Sequence, residues 1–281
     1  MEVIDITIDN KKELLSVLPE DVEESIGRKY YRGKVLIDGS KKPGCIVWEY
    51  KNANDKGASP KVEIVHLCLK DSSGGAHLFD CFDSEMEKEG IKKSQFELPN
   101  EMKKLSPLLK ERGFQVTERE SRDVLLSLDD LKDSKVILKR PSSRITPLSD
   151  VAAKDFRQGI MKCLYAGRRG LCEDLSTLSK SWYEQTLSCG VKADDELKGL
   201  LLIHHFPSGI LMPLVLFADG PDAQINILEM LRYSARTVIS DYDKDTKIMI
   251  RRDNPASLAI MNKLFPGKKG KNSLYGVREL C

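Results

Sequence analysis

The residues Val62-Glu63-Ile64-Val65-His66-Leu67-Cys68-Leu69, followed after Lys70 by Asp71-Ser72-Ser73-Gly74-Gly75-Ala76-His77 and then by Leu78, Phe79, Phe82 and Met86, decide how this chain folds. The first eight form an apolar, β-branched run of strand length. The apolar residues after the loop recur at helical spacing. Between them lie small residues that let the backbone approach an oxyanion, with the first amides of the helix aimed at it. Strand, small-residue loop and amphipathic helix together can cradle a phosphate. An ordinary tight strand-to-helix turn has the same composition, so both readings stand at this point.

Working outward, the stretches Gly33 to Ile37 and Cys45 to Tyr50 flank Asp38-Gly39-Ser40-Lys41-Lys42-Pro43-Gly44 and predict a β-hairpin. Val3 to Ile8 alternates like a strand, and Asn10 is placed to cap a helix through Leu14, Leu15, Val17 and Leu18. Downstream, Ser94 to Leu98 reads as a strand and Glu101 to Arg112 as a helix closed by Gly113. Phe114 to Leu128 reads as two strands around a turn.

The second half repeats the order. Asp150 to Gly167 and Ser176 to Leu187 read as helices, and Ser188 to Val191 and Leu197 to His205 as a hairpin. Ile210 to Phe217 is a strand, and Asp219-Gly220-Pro221-Asp222 opens a long helix through Ile225, Leu228, Leu231 and Val238. Pro221 is expected at the first helical position. Thr246 to Ile250, Asn254 to Leu264 and Ser273 to Leu280 then read as strand, helix and strand. The expected organisation is a domain over 1–129, a polar linker over 130–149 in which Val136-Ile137-Leu138 forms a bridging strand, and a second domain over 150–281.

Composition limits the function classes. A length of 281 residues suits two domains, and 41% hydrophobic with 31% charged residues is an ordinary globular profile. No apolar run approaches the roughly 20 residues needed to cross a bilayer, and the N-terminus lacks a basic-then-apolar signal, so no membrane and a cytoplasmic location are expected. A net charge of +2 with scattered basic residues argues against nucleic acid. Seven separated cysteines without a CxxC pair argue against disulfides and against a metal site.

This order of elements resembles the GNAT (Gcn5-related N-acetyltransferase) superfamily, twice over. The family's loop, Q/R-x-x-G-x-G/A, is matched by Asp71-Ser72-Ser73-Gly74-Gly75-Ala76 at Gly74 and Ala76, with Asp71 where glutamine or arginine is usual. Leu108 to Phe114 resembles the family's helix ending in Gly-Phe, and Asn254-Pro255-Ala256-Ser257 with Met261 to Phe265 resembles its counterpart. The resemblance implies an α/β (α+β) fold of two tandem GNAT-like domains, each a mixed central sheet flanked by helices. It also implies a degenerate second domain, because Ala218-Asp219-Gly220-Pro221-Asp222-Ala223 sets carboxylates and a proline where the pyrophosphate would bind.

The function so implied is an acyl-CoA-dependent N-acyltransferase in which an amine attacks the thioester directly. Acetyl-CoA or another acyl-CoA would place its pyrophosphate on Ser73, Gly74, Gly75, Ala76 and His77, and its pantetheine arm along Leu67, Cys68 and Leu69. A small-molecule or peptide amine would be the acceptor, and a homodimer is one role open to the second domain. Glu63 and Glu49, on central strands, are the candidate general bases; a solvated strand face is the plainer reading of both. His66 and Cys68 read as core residues. The family's acid is often a tyrosine four residues before the helix-ending glycine, and Leu109 and Met261 stand there, so a non-catalytic ligand-binding or scaffolding protein is the alternative.

Overall fold

The computed structural model describes the chain except residues 52–59, 71–73, 142–143, 166–174, 176, 194–195, 253 and 281. Asp71 and Ser73, both weighed above, therefore lie outside the described residues. Two units are present. Unit 1 comprises Met1–Ser121 with Lys271–Cys281, and unit 2 comprises Arg122–Gly270. These limits differ from the expected 1–129, 130–149 and 150–281.

Unit 1 is built on β1 (Glu2–Asp5), β2 (Tyr31–Asp38), β3 (Lys41–Lys51), β4 (Lys61–Leu69), β5 (Lys93–Pro99) and β6 (Gln115–Glu120), with α1 (Glu20–Ser25), α2 (Gly75–Lys88) and α3 (Ser106–Glu111). In unit 2 lie β7 (Asp123–Ser127), α4 (Leu128–Asp133), β8 (Ile145–Pro147), α5 (Ala153–Tyr165), β9 (Cys189–Ala193), β10 (Glu196–His205), β11 (Ile210–Ala218), α6 (Ala223–Asp241), β12 (Lys247–Arg251) and α7 (Pro255–Leu264). The last strand, β13 (Asn272–Glu279), returns to unit 1.

The sheet of unit 1 has the order β1-β2-β3-β4-β5-β13-β6, and that of unit 2 the order β7-β12-β11-β10-β9-β8. The two strands predicted around a turn in 114–128 thus join different sheets. β6 pairs antiparallel with β13, and β7 with β12. Side-chain chemistry explains each choice. On β13 the buried Arg278 pairs with Asp83 of α2, donates to the Arg112 carbonyl at 2.8 Å and lies 4.5 Å from the Phe114 ring. On β7 Asp123 accepts two bonds from the Arg251 guanidinium of β12, at 2.8 and 2.9 Å.

One face of the unit 1 sheet carries α2 and a core of Trp48, Ile64, Leu67, Phe79, Phe82 and Phe96. The other carries Ile6, Leu14, Val17, Leu18, Val35 and Val47, drawn partly from the segment between β1 and β2. That segment forms only a 3-10 turn at Lys11–Leu14 before Pro19 and α1. Asn10 does not cap it; its side chain accepts from the Thr7 amide at 2.8 Å and closes a turn instead.

In unit 2, α6 packs on one face of the sheet with Leu201, Ile203, Met230 and Val238, while Phe156, Ile160, Leu200, Leu202 and Val215 form a second cluster that includes α5 residues. Val136 to Leu138 is a turn rather than a bridging strand. Ile137 is buried, and the carbonyls of Val136 and Leu138 accept from Arg232 and Arg236, which removes the need for a strand partner. Of the helix expected over Ser176 to Leu187, the described residues 177–187 form only a 3-10 turn at Lys180–Trp182.

Candidate functional site

β4 pairs in parallel with β5 at four positions, from Lys61↔Lys93 to Ile64↔Phe96, and no further. Against β3 its register slips: Trp48 faces Ile64 and Val47 faces His66, so Val65 has no opposite number. This is a β-bulge, which bends the strand and takes a residue out of the ladder. Bulge and fork fall together, and Val65 to Leu69 run on without a β5 partner.

The bulge also resets which way side chains point. Val62, Ile64, Leu67 and Leu69 join the core that contains the α2 residues, whereas Val65 and Cys68 pack against the opposite cluster. His66 joins its Nε2 to the Val17 carbonyl at 2.8 Å, where the Cys45 thiol also donates at 3.0 Å. Burial holds the His66 ring below its ordinary protonation range, raises the Cys68 thiol, and pushes Cys45 up to about 12. His66 and Cys45 are structural ties to the Val17 carbonyl, and Cys68 contributes packing.

At the start of α2, Gly74 is the N-cap and makes no side-chain cap bond, and the first helical bond runs from the Leu78 amide to the Gly74 carbonyl at 3.1 Å. The amides of Gly75, Ala76 and His77 precede that bond and so have no acceptor within the helix. Ala76 and His77 are exposed, but Gly74 and Gly75 are buried. A Cβ on Gly74 would sit 1.9 Å from Cδ2 of Leu36, and one on Gly75 would sit 2.8 Å from Cδ2 of Leu108. A side chain at either position would have to displace a leucine methyl, so both glycines suit close packing of the helix start, whatever else they serve.

Glu49 and Glu63 face one another directly across β3 and β4. They are 3% and 9% exposed, so neither belongs to a solvated strand face. Lys51 pairs with Glu49, and the Gln95 amide donates to Glu63 at 3.2 Å. Trp48 and Tyr50 point to the opposite side of β3, into the core containing Phe82. Gln95 escaped the sequence reading, because its place beside Glu63 depends on a parallel register set by the crossover through α2. Leu109 and Met261, at the positions of the family's acid, are 0% and 2% exposed and serve their cores.

Unit 2 has the same bulge. Leu202 faces Val215 and Ile203 faces Pro213, leaving Leu214 unmatched, and β11 pairs with β12 only at Ile210↔Lys247 and Leu211↔Ile248. Aligning Leu214 with Val65 sets Met212 at the position of Glu63 and His204 at that of Glu49. Met212 is buried, and His204 stacks on Trp182 at 3.6 Å with its Nδ1 2.8 Å from the Trp182 carbonyl. Packing has replaced the carboxylate pair. Pro213 brings no amide to the bulge. Pro221 precedes α6 rather than opening it; the helix begins at Ala223 with Asp222 as N-cap, and Asp219 lies 3.5 Å from Lys162. Among the described residues no group of three or more His, Cys, Asp or Glu is arranged to hold a metal, and no helix is long and apolar enough to cross a membrane.

No family model matches the chain, and no curated protein matches its sequence. Solved structures do. A tandem GNAT protein from the clavulanic acid biosynthesis pathway aligns over 100% of this chain and 98% of its own, with a TM-score of 0.62 at 10% identity. A GCN5-related N-acetyltransferase from Sphaerobacter thermophilus aligns over 99% and 96%, with a TM-score of 0.56 at 13% identity. One from Anabaena variabilis aligns over 100% and 73%, with a TM-score of 0.52 at 13% identity. With forked, bulged sheets in both halves and such a likeness along its whole length, the chain has the fold of two GNAT units in tandem.

Proposed function

We propose that unit 1 is an acyl-CoA-dependent N-acyltransferase, with acetyl-CoA as the first donor to test and an amine of a small molecule or peptide as acceptor. The observation that carries this reading is the coincidence of the β4 bulge with the β4–β5 fork, two residues beyond a buried carboxylate. The strand edge at Val65 to Leu69 suits an extended pantetheine arm, whose amides can pair like a strand. The α2 amides at Gly75 to His77 suit a pyrophosphate. The amine nitrogen bonds to the thioester carbon, the carbon–sulfur bond breaks, Glu63 takes the amine proton directly or through water, and the thiolate collects a proton from solvent.

Thermal denaturation with acetyl-CoA tests the binding half. Cofactor at 100 times its dissociation constant adds roughly 2.7 kcal/mol of stability. The exposed variant His77→Glu sets a negative charge at the helix N-terminus, which leaves the unliganded protein as stable or slightly more so yet abolishes the shift. No shift in the native chain at millimolar acetyl-CoA sinks the transferase reading. A non-catalytic binding module is then preferred, and the complete burial of Leu109 where the family's acid would stand favours it.

A further inference from the structure

We infer that Gln95 is a positioning residue for the transfer, holding the Glu63 carboxylate at the fork; this rests on the reading of unit 1 just given. Gln95 is 8% exposed and faces Glu63 in the parallel register of β4 and β5. Its Nε2 donates to Oε2 of Glu63 at 3.2 Å, and its Oε1 lies 3.5 Å from Nζ of Lys61. Only one more pair, Ile64↔Phe96, separates this contact from the point where the strands part. The orientation of the carboxylate is thus set from β5, across the cleft's own apex.

The kind of donor matters. A charged ammonium donating to the same oxygen would add Coulombic attraction to the hydrogen bond and reduce the carboxylate's appetite for a proton further. A neutral amide fixes the oxygen at smaller cost to basicity. Unit 2 has no counterpart, because Met212 replaces the carboxylate and lies beyond the last β11–β12 pair, Leu211↔Ile248. The amide–carboxylate contact therefore accompanies the one fork that kept a candidate base.

The test compares the full-length chain with Gln95→Met, which keeps the volume and removes the donor. Thiol release from acetyl-CoA is followed with a panel of primary amines and a peptide bearing a free N-terminus. The variant is expected to retain the acetyl-CoA thermal shift and KM, to lose roughly ten- to a hundredfold in kcat, and to move the acidic limb of its rate–pH profile upward. Normal kcat with an unmoved profile overturns the positioning role and leaves the transferase reading intact. A native chain that neither binds acetyl-CoA nor releases thiol overturns both. If Gln95→Met folds poorly, the native side-chain amide resonances of Gln95 decide: they should shift on Glu63→Gln, and resonances that stay in place overturn the contact.

Discussion

Arg278 and Asp83 lie 195 positions apart in the chain, yet their paired charges seat the last strand between β5 and β6. Arg278 is nearly buried, and its guanidinium is flanked by the rings of Phe82 and Phe114. A chain ending at Gly270 loses the strand that joins β5 to β6, so unit 1 should not fold in it. Residues 122–270 are contiguous and should fold alone. The Ser121 amide donates to the Lys271 carbonyl at 2.8 Å, so joining Ser121 to Lys271 through Asn-Gly makes β6 and β13 a hairpin and should restore unit 1. Amide-resolved NMR of the three fragments checks this. Well-dispersed unit 1 resonances from the chain ending at Gly270 contradict it.

The pair itself has a measurable weight. Asp83→Ala leaves a nearly buried guanidinium without its carboxylate and should cost about 1–2 kcal/mol, below the about 3–5 kcal/mol of a fully buried pair because the Asp83 side chain is 33% exposed. Arg278→Met should cost less, because the methionine still packs between the two rings. Urea midpoints for the two variants give the order, and the reverse order refutes the account.

Gly74 offers a second stability test. Alanine there drives a methyl to 1.9 Å from Leu36 Cδ2, and overpacking of this kind typically costs about 1–3 kcal/mol. Leu36→Ala is itself costly because Leu36 is buried, but if the clash is real the double variant should lose less than the two single losses added together. A Gly74→Ala protein of native stability would show that the helix start has room, and that its glycine is not held by packing.

The β2–β3 hairpin, with Gly39 at φ +59°, and the strand-to-helix step from β4 to α2 follow from local pattern. The exchange of β7 and β13 does not, because Arg278 and Asp83, like Asp123 and Arg251, find each other only in the folded chain. The bulge was equally hidden. Val65 is apolar like Val62, Ile64, Leu67 and Leu69, and the one trace of the slip, His66 three positions after Glu63 on the same face, reads alone as an ordinary half-buried histidine. Glu49 and Glu63 could be named as candidates, but their burial and register needed the neighbouring strands.

His66 predicts a pH dependence. Its folded-state protonation is depressed by burial, so below the unfolded value near 6.5 the unfolded chain binds the proton first. The stabilising contribution is whole above that pH and diminishes as the pH falls, until the folded ring also protonates. His66→Gln, which keeps a donor for the Val17 carbonyl, should flatten the stability curve between neutral and mildly acidic pH. Parallel curves for native and variant proteins would contradict this assignment.

The carboxylate pair separates base from support. Glu63 accepts from the Gln95 amide beside the fork, and Glu49 pairs with Lys51. If Glu63 takes the proton, Glu63→Gln should lower kcat about 10²- to 10⁴-fold, the range of a lost general base, with acetyl-CoA affinity unchanged. Glu49→Gln removes a charge already neutralised by Lys51 and should reduce kcat far less, its main effect falling on stability. Single-turnover thiol release across pH distinguishes them, because only the loss of Glu63 should abolish the acidic limb. If Glu49→Gln proves the more damaging, the proton passes to the other side of the ladder, and Glu63 is the supporting partner.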